Sequence, residues 1–337
     1  MIKRGMQTYA MEKTIYIADT YAIAGPKEGE GPLGKDFHKI CVDDTCGCGS
    51  YEMAERQLCF DAVQAVIQSS QVRPELYCGG DLLNQIISTS FTARQIGLPY
   101  WGVYSACASF GQAVQTVATA IESGGIQSGI VSAVSHFSSA ERQYRMPLEY
   151  GGQRPDWAQW TVTGAGAARI STEDSNQNGV IIKDFTIGKV MDLEVSDVDN
   201  MGAAMAPAAV DTVLQHLSDT GRELRYYDMV VTGDLAVYGS ELFVELLKRA
   251  GIEAQAVHRD CGAMIYDTQN QNVYSGGSGA GCFPSVFCST LYDKLVDGKV
   301  ERMLCLPTGA LLSTTSSQQG ESIPCIAHAF SLEREKK

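Results

Sequence analysis

The segment "SACASFGQAVQTVATAIESGGIQSGIV", residues 105–131, decides the fold because its plan occurs twice. "GAGCFPSVFCSTLYDKLVDGKVERMLC", residues 279–305, has the same length: a corner of small residues, a helical stretch, a glycine turn and an apolar strand. Two further pairs precede these in the same order. "YCGGDLLNQ" (77–85) matches "VVTGDLAVY" (230–238), and "FDAVQAV" (60–66) matches "VDTVLQH" (210–216). Three pairs in one order mean an internal duplication. The halves divide as residues 1–175 and 176–337, meeting at the polar stretch "STEDSNQNG" (171–179).

Around these pairs, strand-like runs ending near glycine alternate with helical stretches. "GIVSAV" (129–134), "GVIIKDFTIG" (179–188), "DMVVTGD" (228–234) and "ERMLCLPTG" (301–309) read as buried strands. "SYEMAERQLCFDAVQAVIQSS" (50–70) reads as a helix with Ser50 as N-cap and Glu52 and Glu55 in its first turn. The alternation predicts an α/β fold with helix-covered sheets. Two like halves predict pseudo-two-fold packing through a shared helix layer.

Composition narrows the function classes. With 45% hydrophobic and 19% charged residues, the 337-residue chain is of the ordinary globular kind. A formal charge of −13 argues against a nucleic-acid partner, which needs a basic stripe. No apolar run is long enough for a membrane span, and the start lacks the apolar region of a signal peptide. Eleven cysteines in such a chain read as reduced thiols, so a cytoplasmic protein is expected.

The repeat places Cys107 opposite Gly281, so only the first copy carries a thiol on its corner. A thiol before a helix N-terminus has amides pointing at it, which favours thiolate. Acyl transfer through such a thiol also needs a base and groups that hold the thioester oxygen.

Duplicated α/β halves with a cysteine on the first corner resemble the thiolase and ketoacyl-synthase superfamily. "GDLLNQ", "YSACAS", "VTGDLAVYG", "GGSGAGC" and "GALLSTTSSQQGESIPCIAHA" together resemble the stage V sporulation protein AD family, from about Thr14 to Leu332. The resemblance implies a duplicated thiolase-like fold: two mixed sheets with helices in layers, α-β-α-β-α. It also implies binding of dipicolinic acid (pyridine-2,6-dicarboxylate) for uptake into the forespore and release in germination, without thiolase activity. Calcium enters only as the dipicolinate chelate, and no other cofactor is expected. In the related enzymes, His or Asn stands on the loop that here carries Thr232, Gly233 and Asp234, and on the corner that here carries Ser275, Gly277 and Ser278. Neither imidazole nor carboxamide is present on either, so Cys107 is read as a degenerate nucleophile unless His136 or His258 reaches it. The rival reading is a thiolase or ketoacyl-synthase-type acyltransferase using Cys107.

The expected ligand site comprises Cys107, Ser105, Asp81, His136, Arg142, Thr232, Asp234, Gly277 and Ser278. His136, Arg142 and Arg145 lie in "SHFSSAERQYRMPLEYGGQRP" (135–155), after a strand whose C-terminal end faces the binding crevice. Arginine there offers a carboxylate two parallel hydrogen bonds. "SGGSGAGC" (275–282) lacks the ending of a P-loop and reads as a close backbone approach to a ligand. Cys305 reads as core, although thiolases place a second cysteine near there, and His216 reads as surface or core.

"HKICVDDTCGCGS" (38–50) offers His38, Cys41, Cys46 and Cys48 to zinc, at a spacing unlike the common zinc pairs. Asp43 and Asp44 read as helix-capping acids in preference to calcium ligands, so no metal site is expected. The apolar strand "IQSGIVSAV" (126–134) predicts a homodimer, because the superfamily pairs such strands across a two-fold axis. The family also implies a peripheral place at the forespore inner membrane, with other membrane proteins of the stage V sporulation A operon as partners.

Overall fold

The computed structural model describes residues 1–70, 72–144 and 154–335. Strands of the first half are Tyr16–Ala24 (β1), Leu76–Asp81 (β2), Tyr100–Gly102 (β3), Ser128–Ser135 (β4) and Gly164–Ser171 (β5). Those of the second are Val180–Thr186 (β6), Met229–Thr232 (β7), His258–Asp260 (β8), Arg302–Leu306 (β9) and Ala329–Arg334 (β10). The spatial order is β3-β2-β4-β5-β1 in one half and β8-β7-β9-β10-β6 in the other. In both, the first three strands are mutually parallel and the fourth runs antiparallel to its neighbours. The duplication read from sequence is therefore a duplication of topology. The two runs join where Ile181 pairs with Tyr16.

The helices are Tyr51–Ser69 (α1), Ile87–Ile96 (α2), Ser109–Glu122 (α3), Phe137–Tyr144 (α4), Met201–Thr220 (α5) and Ala236–Arg249 (α6). The partner of α3 in the second half starts at Cys282 and runs on through a π-helical turn, Phe287–Leu291. Phe110 of α3 meets Phe283 and Phe287 of that partner at ring-centroid separations of 6.0 and 5.9 Å. These rings form the middle of the shared layer. Phe110, Phe283 and Phe287 are fully buried, and burial of large aromatic rings is worth about 1.5–3 kcal/mol each. No helix among the described residues is long and apolar enough to cross a membrane.

Local readings hold where local chemistry decides. Ser50 caps α1, its Oγ accepting from the Met53 amide at 3.2 Å. Glu55 departs from the expected role at the helix start. It is fully buried, and its carboxyl accepts from Ser88 Oγ at 3.0 Å and from Ser139 Oγ, tying α1 to α2 and α4. Burial pushes its pKa well up, with the charge of Asp81 adding to the effect.

The strand expected at a dimer axis lies inside the sheet. β4 is bonded along its length to β2 on one side and β5 on the other, so it has no edge to offer. All of its residues are buried, on both faces, as in parallel strands covered by helices. The edge of that half is β3, where Trp101 stands 49% exposed.

Candidate functional site

The corner between β3 and α3 is held by hydrogen bonds from buried side chains. Ser109 Oγ donates to the Ala106 carbonyl at 2.6 Å and accepts from the Ser105 amide at 3.1 Å. Ala106 is thereby kept at φ 49°, a left-handed conformation that costs an alanine energy. Strand Thr308–Ala310 lies against this corner. A Cβ on Gly309 would stand 2.2 Å from the Ser105 carbonyl and 3.1 Å from the Cys107 amide, so only glycine fits. Gly309 was not expected at the site, although a lone glycine inside a strand is the signal of such an approach.

Cys107 is 7% exposed and lines an apolar recess of about 70 Å³. Leu82, Tyr104, Tyr144 and Leu312 line both this recess and an outer cleft of about 330 Å³. The Tyr104 and Tyr144 hydroxyls are 3.4 Å apart, and Tyr144 also donates to the Leu82 carbonyl. Ser278 and Gly279 form another wall. Gly279 has φ 116°, and a Cβ there would come within 2.7 Å of Ser135 Oγ.

The Cys107 thiol is pushed well above its usual pKa, first by burial and next by the charge of Asp234. The Gly279 and Cys107 amides act in the opposite sense, and burial outweighs them. The thiol is therefore protonated at neutral pH and a poor nucleophile.

No imidazole repairs this. His136 Nε2 meets the Asp44 carbonyl at 2.6 Å, and its Nδ1 accepts from the Ser138 amide. His258 Nε2 meets Thr232 Oγ1 at 2.8 Å, and burial lowers its pKa to about 4. His216 bridges Thr186 and Tyr227, and His38 accepts from the Ala22 amide. The fifth, His328, comes nearest to the corner and was not expected there. Its Nδ1 accepts from the Gly188 amide at 3.3 Å, which puts the proton on Nε2, 3.3 Å from Ser105 Oγ. Ser105 in turn donates to Gln112 Oε1 at 2.7 Å. His328 is buried, its pKa lowered to about 4, and its proton is committed to Ser105. Both nitrogens are thus in use, and none accepts from Cys107.

The two halves treat one aspartate differently. Asp81 and Asp234 occupy the same position in the repeat, "GGDLL" against "TGDLA". Asp81 caps its own turn: its oxygens accept from the Leu83 and Thr89 amides at 3.0 and 2.8 Å. In the second half, Asp260 reaches across from β8 to take the Leu235 and Ala236 amides and the Thr232 hydroxyl. Asp234 is left fully buried with neither carboxyl oxygen hydrogen-bonded. Burial raises its pKa well above the usual range, followed by the charge of Asp260.

The remaining expected residues separate. Ser278 joins Cys107 on the recess, whereas Gly277 pairs with Trp160 and its Cβ would point at Ile265, Val162 and Tyr266. A side chain at Gly277 would therefore press into the core and not across from the thiol. Arg142 is exposed and pairs with Glu52 at 3.0 Å, on the side of α4 away from the recess. Arg145 lies outside the described residues. The face of α4 that lines the recess is Ala140, Glu141 and Tyr144. Glu141 is held there by Arg154, whose Nη1 is buried without a hydrogen-bond partner. Neither Glu141 nor Arg154 was expected at the site. The helical period alone groups 140, 141 and 144 on one face, but nothing local joins Glu141 to Arg154.

The fold that presents the corner is thiolase-like. Among solved structures, 3-oxoacyl-(acyl carrier protein) synthase III of Pseudomonas aeruginosa PAO1 superposes with a TM-score of 0.59 at 15% identity, covering 96% of this chain and 99% of that one. Cerulenin-bound OleA from Xanthomonas campestris gives 0.60 at 14% identity, covering 98% and 100%. At such identities the likeness concerns fold alone. The chain belongs to the stage V sporulation protein AD (SpoVAD) family, whose model matches residues 5–333. It is 41% identical over 333 residues to stage V sporulation protein AD of Bacillus subtilis (strain 168), spanning 98% of this chain and 97% of that protein.

Proposed function

We propose that this protein binds dipicolinic acid in the cleft at Cys107, without acyl transfer, for loading into the forespore and release in germination. The observation that carries the non-catalytic part is His328: its proton is donated to Ser105, and the Cys107 thiol stays protonated. Losing the base alone costs acyl transfer about 10²–10⁴-fold. Membership of the sporulation family and a recess walled by Tyr104, Tyr144, Leu82 and Leu312 support a flat aromatic ligand. The inner recess is small, so the ring lies across its boundary with the outer cleft. Arg154, which pairs with the recess-lining Glu141, is the cation assigned to a carboxylate of the ligand, and Ser278 supplies a hydroxyl.

The test has two arms. Acetoacetyl-CoA and acyl-CoA turnover is expected to equal that of Cys107→Ala; turnover well above that control restores the acyltransferase reading. Calorimetry is expected to show binding of dipicolinate over pyridine-2,3- and 3,5-dicarboxylates, with calcium adding only what its chelate contributes. Equal binding of the isomers overturns the ligand assignment.

The same proposal includes a homodimer, now through the exposed edge β3 in place of β4, at a peripheral site on the forespore inner membrane beside the other proteins of the operon. Trp101→Glu is expected to shift light scattering from dimer to monomer. A wild-type monomer at micromolar concentration removes the dimer from the proposal.

A further inference from the structure

The thiol-rich loop after Ile40 has no part in the cleft, and its arrangement is not that of a zinc centre. His38 stacks on Tyr21 with ring centroids 4.6 Å apart, and its Nδ1 accepts from the Ala22 amide. Among the described residues, no group of three metal-ligating side chains comes together. The cysteines are instead sorted into a pair and a bystander. Cys41 is fixed at the end of the sheet, its amide donating to the Ala24 carbonyl at 2.9 Å. The chain then reverses through Asp43, whose side chain accepts from Thr45 N and Oγ1 and whose carbonyl accepts from the Cys46 amide at 3.1 Å. Cys46 takes up φ 48° at the close of this reversal. Cys46 and Cys41 line one surface cleft of about 300 Å³ with Lys39 and Asp43, and each thiol shifts the titration of the other. Cys48 turns away, its Sγ donating to the Cys46 carbonyl at 3.8 Å.

We propose that Cys41 and Cys46 form a redox modification site, closing a reversible intramolecular disulfide on exposure to a peroxide. Two thiols on one cleft, five residues apart across a chain reversal, can approach to the bond length of about 2.05 Å. The Cys41 thiolate attacks the peroxide, breaking its O–O bond, to give a sulfenic acid and hydroxide, which takes up a proton to become water. Cys46 sulfur then attacks the Cys41 sulfur, expelling the sulfenic oxygen as a second water once the Cys46 proton is transferred. Two thiols and one peroxide yield one disulfide and two waters, and a thiol reductant reverses the change. Electrostatics assigns Cys41 as the attacking sulfur. The hydrogen bond from Cys46 lowers the pKa of Cys41, and Lys39 adds to this, while burial opposes; burial holds the Cys107 thiol well up. The loop also touches the ligand cleft indirectly. The Asp44 carbonyl, between the two cysteines in sequence, accepts from His136, which directly precedes α4.

The test treats the anaerobically purified full chain with stoichiometric hydrogen peroxide, alkylates the remaining thiols and follows the tryptic peptide of residues 40–56 by mass spectrometry. Two of its three thiols are expected to become unreactive and to return after dithiothreitol. Fragmentation of the wild-type peptide is expected to place the bond between Cys41 and Cys46. Cys48→Ser is expected to leave the loss of two thiols intact, whereas Cys46→Ser is expected to abolish disulfide formation. A peptide that keeps all three thiols reactive overturns the proposal. So does a bond mapped to Cys48, or a disulfide that survives in Cys46→Ser.

Discussion

Gly309→Ala is expected to lower the unfolding free energy by about 3 kcal/mol, at the upper end of the usual cost of overpacking. The added Cβ meets three backbone atoms: the Ser105 carbonyl at 2.2 Å, the Ala108 amide at 2.9 Å and the Cys107 amide at 3.1 Å. None is the movable end of a side chain. Strand Thr308–Ala310 has little room to retreat, because it is paired to Cys325–Ala327 with Gly309 opposite Ile326. The corner is fixed as well, by Ser109 on one side and by the Ser105–Gln112–His328 chain on the other. Relief must therefore open the contact that brings the two halves together at Cys107. Urea unfolding of Gly309→Ala beside Gly221→Ala supplies the comparison. Gly221 has φ 67° with nothing within 4 Å, so its replacement costs only the backbone strain, about 1 kcal/mol. Equal costs at the two positions contradict the close approach described at the corner.

Arg154→Met is expected to weaken dipicolinate binding about 10- to 100-fold, the loss of a charge-assisted pair. Arg142→Met is expected to leave it unchanged, because Arg142 is 58% exposed and paired with Glu52. The two arginines are close in sequence, so a general loss of positive charge affects both variants alike and only proximity separates them. Removing Arg154 also takes away the cation that faces the buried Glu141, which by itself destabilises the fold. Arg154→Met/Glu141→Gln removes that complication. Titration calorimetry on all three variants, each checked by circular dichroism, decides the matter. Tight binding by the double variant places the anion elsewhere, as does weak binding by Arg142→Met.

The sequence by itself determined the duplication, the corner and the limits of its chemistry. Equal-length repeats required two halves of one topology, because each copy carries the same succession of glycine turn, apolar run and helix start. Ser50 was legible as a cap because capping depends on residues within one turn. The absence of His and Asn from two loops was legible because it needs no geometry. Tertiary structure decided everything that depends on a partner distant in the chain. Asp81 and Asp234 are alike in sequence, yet one caps its own turn while in the other half that role falls to Asp260, which approaches from a neighbouring strand. β4 reads as an apolar strand in either place, but hydrogen bonds on both sides make it interior and leave β3 as the edge. His328 lies far along the chain from Ser105, and only folding commits its proton there. Local periodicity fixes which face a residue presents; the identity of the group that meets that face is set by contacts between elements far apart in sequence.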